Sequence, residues 1–257
     1  NYVRNSVKAV VDAYDGTVTL YVVDTKDPLI QAYQKAFPEL FSKDAVPQKL
    51  REHFRYPEDL FTVQTQMYAK YHVSDPDDFY NSNDEWSVPR DSGATEKSGD
   101  TNTKVGPDGQ ELTSSDKYPS QYMLMQLPGE DEASFVLQRP YVTSTDDADT
   151  GGGDNQLRAL IVANSDDGPD YGTLRVYKLP VSDLPDGPNI AAADILANGD
   201  VAAKVKDLCT DKRVCTFAAP SILPVGDSLL YVQSFLSAAD KNAAAKIDGT
   251  IVMPGQV

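Results

Sequence analysis

The side chains best suited to chemistry are concentrated from His53 to Pro89, a stretch that contains both histidines and the only tryptophan of the chain. The candidates combine a guanidinium, carboxylates, an amide and aromatic rings: Arg55, Tyr56, Glu58, Asp59, Tyr71, His72, Asp75, Tyr80, Asn81, Asp84 and Trp86. Rings pack against the C–H faces of sugars and carboxylates accept from hydroxyls, so the set is typical of a carbohydrate-binding cleft.

Two other interpretations of this stretch are open at the level of sequence. Two converging carboxylates could supply the acid and the base of glycoside hydrolysis. Alternatively, the stretch is a helical subdomain whose aspartates cap helices and whose rings fill the core. The chain has no G-x-S-x-G or H-E-x-x-H motif, so no motif favours a serine hydrolase or a zinc protease.

Acidic loops are candidates for a metal site. Asp147, Asp149 and Asp154 lie in a glycine-rich loop, and residues 166–170 form a similar acidic loop. Calcium prefers several oxygen ligands from one tight loop, which makes both loops candidate calcium sites. No glutamate stands where the bidentate ligand of a twelve-residue calcium loop belongs, so a solvated loop is the alternative. We predict no other cofactor.

Cys209 and Cys215 are the only cysteines. Their short separation and the absence of a CxxC motif favour a disulfide over a metal or redox role. Disulfides persist outside the reducing cytosol, so the pair favours an extracytoplasmic location; two free thiols are the alternative. The formal net charge of −16 repels phosphate backbones, and we predict no nucleic-acid partner.

Local patterns predict the elements that position these groups in the first part of the chain. Asp15-Gly16 between two β-rich runs predicts a hairpin over residues 7–23. Asp27-Pro28 and Asp75-Pro76 each predict a helix start, and Pro57 opens a longer helix between them. The spacing places two apolar stripes on these helices, namely Ile30, Tyr33 and Phe37 on the first, and Leu60, Gln64, Met67 and Tyr71 on the longer one.

The remaining chain is predicted to be richer in strands. Residues 122–142 indicate an antiparallel pair across an acidic turn, and residues 157–166 are ambiguous between strand and helix. We predict one α+β unit with antiparallel sheet. It would comprise a hairpin plus helical lobe (1–89), a flexible polar insertion (90–117), a β-rich lobe with helices packed on the first (118–236) and a tail (237–257).

Several stretches together are specific enough to identify a resemblance. They are RNSVKAVVDAYDGTVTLYVVD at 4–24, FRYPEDLFTVQTQMYAKYHVSDPDDFYNSNDEWSVP at 54–89, YMLMQLPGEDEASFVLQRPYV at 122–142, DYGTLRVYKLP at 170–180 and LPVGDSLLYVQSF at 223–235. In content and order they resemble Uncharacterised Protein Family 0182, large multi-pass membrane proteins common in actinobacteria. The polar inserts and the cysteine pair depart from the family's usual pattern.

The resemblance implies an extracytoplasmic domain of a cell-membrane protein, with transmembrane helices before residue 1. Its partners would be its own transmembrane region and an envelope glycan, a lipid or a partner protein. The family has no established activity, so the resemblance carries no catalytic role. We therefore predict a binding or assembly module at the cell envelope rather than an enzyme; the alternatives are a carboxylate-dependent glycan hydrolase and an accessory domain of a transporter.

Overall fold

The computed structural model of the protein describes residues 3–92, 94–96, 117–144, 156–209, 214–226, 228–238 and 246–254. The helices are α1 (Pro28–Ala36), α2 (Gln48–Arg51), α3 (Glu58–Tyr71), α4 (Pro76–Tyr80), α5 (Pro188–Ala197) and α6 (Gly199–Leu208). The strands are β1 (Val7–Val11), β2 (Val18–Val22), β3 (Trp86–Ser87), β4 (Ala94–Glu96), β5 (Gln121–Gln126), β6 (Ala133–Thr143), β7 (Leu157–Asn164), β8 (Leu174–Lys178), β9 (Val214–Phe217), β10 (Ser221–Val225), β11 (Ser228–Ala238) and β12 (Lys246–Pro254).

Strand pairing is antiparallel throughout the described residues, which confirms the predicted α+β class. β1 and β2 form the predicted N-terminal hairpin, and Gly16 takes the left-handed conformation (φ +78°) that its turn requires. One larger sheet has the order β3-β6-β7-β8, with β5 also paired to β6. The other has the order β10-β11-β9-β4, with β12 also paired to β11.

The first 50 described residues, 3–52, form what we call the N-terminal lobe, and the rest is the body. The lobe contains the hairpin, α1 and α2, and its buried residues are Ser6, Asp27, Ile30 and Phe41. The four clusters of buried apolar residues in the described chain all lie in the body. The lobe is therefore a layer with little core of its own.

Local capping chemistry explains α1. Asp27 precedes the helix, and its Oδ1 accepts from the backbone N–H of Leu29 at 3.0 Å, as the Asp-Pro pair predicts. Its Oδ2 accepts from the Ser6 hydroxyl, which ties the helix start to the hairpin. Of the predicted α1 stripe, only Ile30 is buried, whereas Tyr33 and Phe37 are exposed. The stripe exists, but nothing in the described chain covers most of it.

α3 packs into the largest core cluster with a different face from the predicted one. Phe61, Thr65 and Ala69 are buried at helical spacing, while Met67 and Tyr71 are exposed. Thr65 is tolerated in this core because its hydroxyl donates to the Thr62 carbonyl (3.0 Å) and its oxygen accepts from Arg139 (3.1 Å). A polar side chain thus occupies the centre of the contact face.

Four side chains hold the link between β9 and β10 against the rest of the body. Gln233, Gln121, Tyr118 and Gln138 donate to the carbonyls of Ala218, Ala219, Pro220 and Ile222, respectively. The link separates β9 from β10, since Pro220 has no N–H for a ladder. The four bonds give these backbone carbonyls side-chain partners.

Two sequence predictions need correction at the level of elements. Residues 246–254, predicted as part of a tail over 237–257, form β12 on β11, where the pairing satisfies backbone groups along an eleven-residue strand. Within the predicted insertion over 90–117, Ala94–Glu96 form β4 on β9, whereas residues 97–116 lie outside the described chain. The ambiguous segment 157–164 is a strand, β7, buried between β6 and β8.

The predicted disulfide is present. Cys209 follows α6 and bonds to Cys215 in β9, with Cα atoms 5.8 Å apart. Cys215 is buried beside the paired rings of Phe217 and Phe235. The bridge therefore fastens α6 to the second sheet. Among the described residues, the helices are all too short or too polar to span a bilayer.

Candidate functional site

Arg55 lies where the N-terminal lobe meets the body. Its carbonyl accepts from Lys8 Nζ (2.8 Å) and from the Tyr171 hydroxyl (3.0 Å). Its guanidinium lies 4.3 Å from the centre of the Phe135 ring, a distance typical of a cation–π contact. Burial lowers the pKa of Lys8. The residue predicted to bind a ligand is thus engaged in joining two parts of the protein.

Tyr56 is buried and equally engaged. Its hydroxyl donates to Gln64 Oε1 at 2.7 Å, and its carbonyl accepts from the Tyr122 hydroxyl. Burial raises the pKa of Tyr56, because a phenolate would lose its hydration there. Gly172 lies against the ring: a Cβ at this position would be 3.1 Å from Tyr56 Cε2, and the glycine has a left-handed φ of +77°.

Three of the four carboxylates of the candidate set have helix-terminal positions. Glu58 and Asp59 are exposed in the first turn of α3, where negative charge is stabilised by the helix macrodipole. Asp75 caps α4: its Oδ1 accepts from the N–H groups of Asp77 (2.9 Å) and Asp78 (3.1 Å). These positions match the capping interpretation of the sequence.

His72, Asp84 and Trp86 are brought together at the far end of α3. The imidazole stacks on the indole with ring centres 3.6 Å apart, and Trp86 Nε1 donates to Asp84 Oδ1 at 3.3 Å. Tyr141 lies 5.6 Å from the indole and Lys178 Nζ lies 5.0 Å from its centre. Trp86 is only 4% exposed, so its ring is occupied by protein contacts in this structure.

The protonation of His72 follows from its neighbours. Nδ1 lies 2.9 Å from the Ala69 carbonyl, which can only accept, so Nδ1 carries a proton. Nε2 is buried without a hydrogen-bond partner, 4.0 Å from Asp84 Oδ2. Asp84 and Ser82 both have a φ of +55°, a conformation uncommon outside glycine. The geometry places an acceptor, Asp84 Oδ2, near the one ring nitrogen of His72 that lacks a hydrogen-bond partner.

The exposed members of the set lie around α4. Tyr71 stacks on Phe79 with ring centres 5.7 Å apart, and Tyr80 is 87% exposed. Asn81 is exposed, and its amide donates to the Asp77 carbonyl at 2.9 Å. The structure thus divides the predicted site into a buried half and an exposed half. Ligand binding at these residues stays a prediction.

Of the two candidate calcium loops, only the second lies within the described residues. Asp147, Asp149 and Asp154 lie outside the described residues. In the second loop, Asp166 accepts from the N–H of Phe135 (2.8 Å), and Asp167 accepts from Gln48 Nε2 (3.1 Å). Within the described residues, no three His, Cys, Asp or Glu side chains are grouped closely enough to hold a metal ion.

A polar cleft of about 370 Å³ lies between the β5–β6 turn and the β10–β11 turn. It is lined by residues 126–130 and 224–226. Its carboxylate, Glu130, is already ion-paired with Arg175. Among the described residues that line the cleft, Glu130 is the one carboxylate, whereas glycoside hydrolysis requires two opposed ones.

Sequence reasoning missed a buried polar group under α3. Arg139 is 3% exposed, and its Nε donates to the Tyr118 carbonyl at 2.9 Å while its terminal nitrogen donates to Thr65. Burial lowers the pKa of this guanidinium. The Tyr141 hydroxyl donates to the Thr65 carbonyl at 2.7 Å. The available signal was the Gln138-Arg139 pair inside an otherwise apolar strand, where burial requires specific partners.

Comparison with known proteins places this fold in a family. A model described as "Uncharacterised protein family (UPF0182)" matches residues 1–208. A UPF0182 protein of Microcystis aeruginosa is 38% identical over 248 residues, which are 96% of this chain and 23% of that protein. A UPF0182 protein of Micrococcus luteus is 39% identical over 243 residues, which are 91% of this chain and 21% of that protein. A UPF0182 protein of Nitrosococcus oceani is 35% identical over 258 residues, which are 100% of this chain and 26% of that protein.

The chain thus spans about a quarter of the length of the curated relatives it matches. No solved structure matches it. The match of the family model over most of the chain agrees with the resemblance carried by the RYPEDLF and YHV stretches around α3. The chain belongs to the uncharacterised protein family UPF0182.

Proposed function

We propose that the chain is an extracytoplasmic module of a longer cell-envelope protein and that it acts by binding or assembly. The observation that carries the location is the Cys209–Cys215 disulfide, because such bonds persist in oxidising compartments and are rare in the cytosol. The resemblance to multi-pass membrane proteins supports the same location. The natural partners would be the module's own transmembrane region and an envelope glycan, lipid or protein.

Binding is favoured over catalysis by the positions of the candidate carboxylates. Asp75 caps α4, Asp84 accepts from Trp86, and Glu130 is paired with Arg175. Hydrolysis by two carboxylates needs a pair that flanks an open space about 5–10 Å wide. Among the residues that the structure describes, no such pair faces the cleft at residues 126–130 and 224–226. Neither the hydrolase nor the transporter accessory is favoured by a specific observation.

Labelling in intact cells tests the location. Tyr80→Cys in the full-length gene product introduces a thiol at a highly exposed position, while Cys209 and Cys215 stay protected as a disulfide. A membrane-impermeant maleimide should label this variant in intact cells as strongly as in lysed cells. A cytosolic cysteine protein in the same cells is the control for intactness. Labelling only after lysis would refute the extracytoplasmic assignment.

The exposed half of the predicted site supports one binding test. Tyr80→Ala removes an exposed ring without disturbing the core, whereas Trp86→Ala would remove a buried one. If an envelope glycan stacks on Tyr80, the variant should bind it about 5-fold more weakly, since a ring contact contributes roughly 1 kcal/mol. Tyr14→Ala, an equally exposed ring on the hairpin, is the matched control. Equal affinities of both variants and the wild type would remove Tyr80 from the site.

A further inference from the structure

We propose that the exposed apolar stripe of α1 docks an apolar segment of the same full-length polypeptide, from the part that lies outside this chain. The stripe consists of Leu29, Tyr33, Phe37 and Leu40. The inference rests on the proposed function, because it names what the module assembles with. It makes the N-terminal lobe an intramolecular interface.

The stripe has the geometry of a helix contact surface. Leu29 and Tyr33 lie four residues apart on one face of α1, and Phe37 follows at the same interval as the residue that caps the helix. They and Leu40 are 49–55% exposed. The Tyr33 and Phe37 rings stack with centres 6.2 Å apart, and an open apolar depression of about 460 Å³ lies beside them at residues 36–40.

The stripe faces away from the stabilised part of the lobe. Ile30 is the buried apolar residue of α1, and Phe41 is the other buried apolar residue of the lobe. The lobe is joined to the body by polar contacts, among them Asn5 to the Tyr171 hydroxyl (3.1 Å) and Gln48 to Asp167 (3.1 Å). An apolar partner packed on the stripe would bury these side chains between two layers, as in an ordinary hydrophobic core.

The area of the stripe argues against a second copy of this chain as the partner. A buried aromatic or aliphatic side chain of this size covers about 150–250 Å², so four half-exposed ones offer roughly 400 Å². A stable dimer needs about 800 Å² from each partner. A tethered segment needs less, since its effective concentration is in the millimolar range or above and it does not lose free translation on binding.

Charge argues against a lipid surface. The lobe is neutral, because its cations are Arg4, Lys8, Lys26, Lys35, Lys43, Lys49 and Arg51 and its carboxylates are Asp12, Asp15, Asp24, Asp27, Glu39, Asp44 and Glu52. The whole formal charge of −16 therefore falls on residues 53–257. A peripheral membrane surface combines apolar side chains with excess lysine and arginine, and this protein has no such excess at the stripe.

The length of the relatives indicates where a tethered partner would come from. Proteins that match 91–100% of this chain are about four times as long, so a lobe of this kind is normally part of a much larger polypeptide. The family model covers residues 1–208 and therefore includes the whole lobe. In a full-length protein of that size, the lobe and a tethered partner belong to the same polypeptide.

Photo-crosslinking in the full-length gene product identifies the occupant. The photoreactive residue p-benzoylphenylalanine in place of Phe37 should form an intramolecular crosslink, mapped by mass spectrometry to a peptide outside residues 1–257. The same residue in place of Leu124, an equally exposed apolar side chain on β5, is the control and should give no such peptide. A crosslink to a second copy or to lipid, or no crosslink at Phe37, would overturn the proposal.

The result is independent of the labelling that tests location. An intramolecular crosslink in a protein labelled only after lysis would remove the extracytoplasmic assignment and keep the docking surface. Labelling from outside without a crosslink would remove the docking surface alone.

A melting experiment tests the same surface without a crosslinker. The double variant Tyr33→Ser, Phe37→Ser should leave the melting temperature of the isolated chain within a few degrees of the wild-type value, yet lower the melting temperature of the full-length protein. Leu124→Ser should change neither, and equal melting of the full-length wild type and double variant would count against docking.

Discussion

The N-terminal lobe and the body differ in how much of their structure is stabilised by buried contacts. The body buries four apolar clusters and closes a disulfide, and the formal net charge of −16 falls on residues 53–257. The lobe is neutral, has four buried residues and exposes an aromatic helix face. Helices gain most of their stability from packing rather than from propensity, so a lobe with so few buried contacts is expected to open more readily. One chain thus combines a well-packed body with a lobe whose aromatic face is exposed.

Alkali should disrupt the body most strongly. Burial raises the pKa values of Tyr118, Tyr141 and Tyr231 far above the ordinary 10.0. The folded state favours the protonated phenols, so their stabilising contribution is complete below pH 10 and is lost as the pH rises above it. Three such groups cost about 4 kcal/mol per pH unit, and the body should unfold before pH 12. Trp86 emission and tyrosinate absorbance should change together; ionisation of these tyrosines at pH 10 in a folded body would contradict this.

Paired truncations of phenylalanine compare the two regions directly. Phe61→Ala in the body should reduce the free energy of unfolding by about 3–5 kcal/mol, because the ring is fully buried. Phe37→Ala in the lobe should change it by less than about 0.5 kcal/mol in the isolated chain, because the ring is half exposed. Urea unfolding followed by Trp86 fluorescence gives the value for Phe61→Ala, and amide exchange in α1 gives the value for Phe37→Ala. Similar losses for the two variants would show that the lobe is stabilised like the body.

The disulfide should contribute less than the core. Cys209→Ala with Cys215→Ala should destabilise the body by about 2 kcal/mol, the loop-entropy effect of so short a ring. A reducing agent should lower the melting temperature of the wild type and leave the double variant unchanged, which serves as the control. A wild type that is insensitive to the reducing agent would show that the bridge is absent or does not stabilise.

The smallest expected effect is confined to the lobe. Asp27→Ala removes the cap of α1 and the bond from Ser6, which should cost about 1 kcal/mol locally. Amide exchange in α1 and the hairpin should become several times faster, while the unfolding of the body reported by Trp86 stays the same. Asp75→Ala, which removes the cap of α4, should accelerate exchange in α4 only. Loss of body stability in Asp27→Ala would mean that the two regions unfold together.

Local chemistry explains which parts of the fold the sequence predicts well. The hairpin at Gly16 and the helix starts at Asp27 and Asp75 depend on residues within four positions of each other, and all three are confirmed. The disulfide was also predictable, because only one pairing exists. These features need no knowledge of distant contacts.

The remaining features depend on contacts between distant residues. Thr65 lies in the core because Arg139 binds it from 74 positions away, and no spacing rule on α3 predicts that. Trp86 and His72 look like binding residues in the sequence, yet they stack on each other inside the body. Residue types single out this stretch as a candidate site, whereas exposure decides which of its members face solvent.

The contact between Gly172 and Tyr56 has an evolutionary consequence. A left-handed glycine whose missing Cβ leaves room for the neighbouring ring makes the two positions interdependent. A replacement of the glycine would strain the backbone and bring its Cβ within 3.1 Å of Tyr56 Cε2, so the ring would have to shift or become smaller. The two positions are therefore expected to be inherited as a pair across the family, although 116 residues separate them.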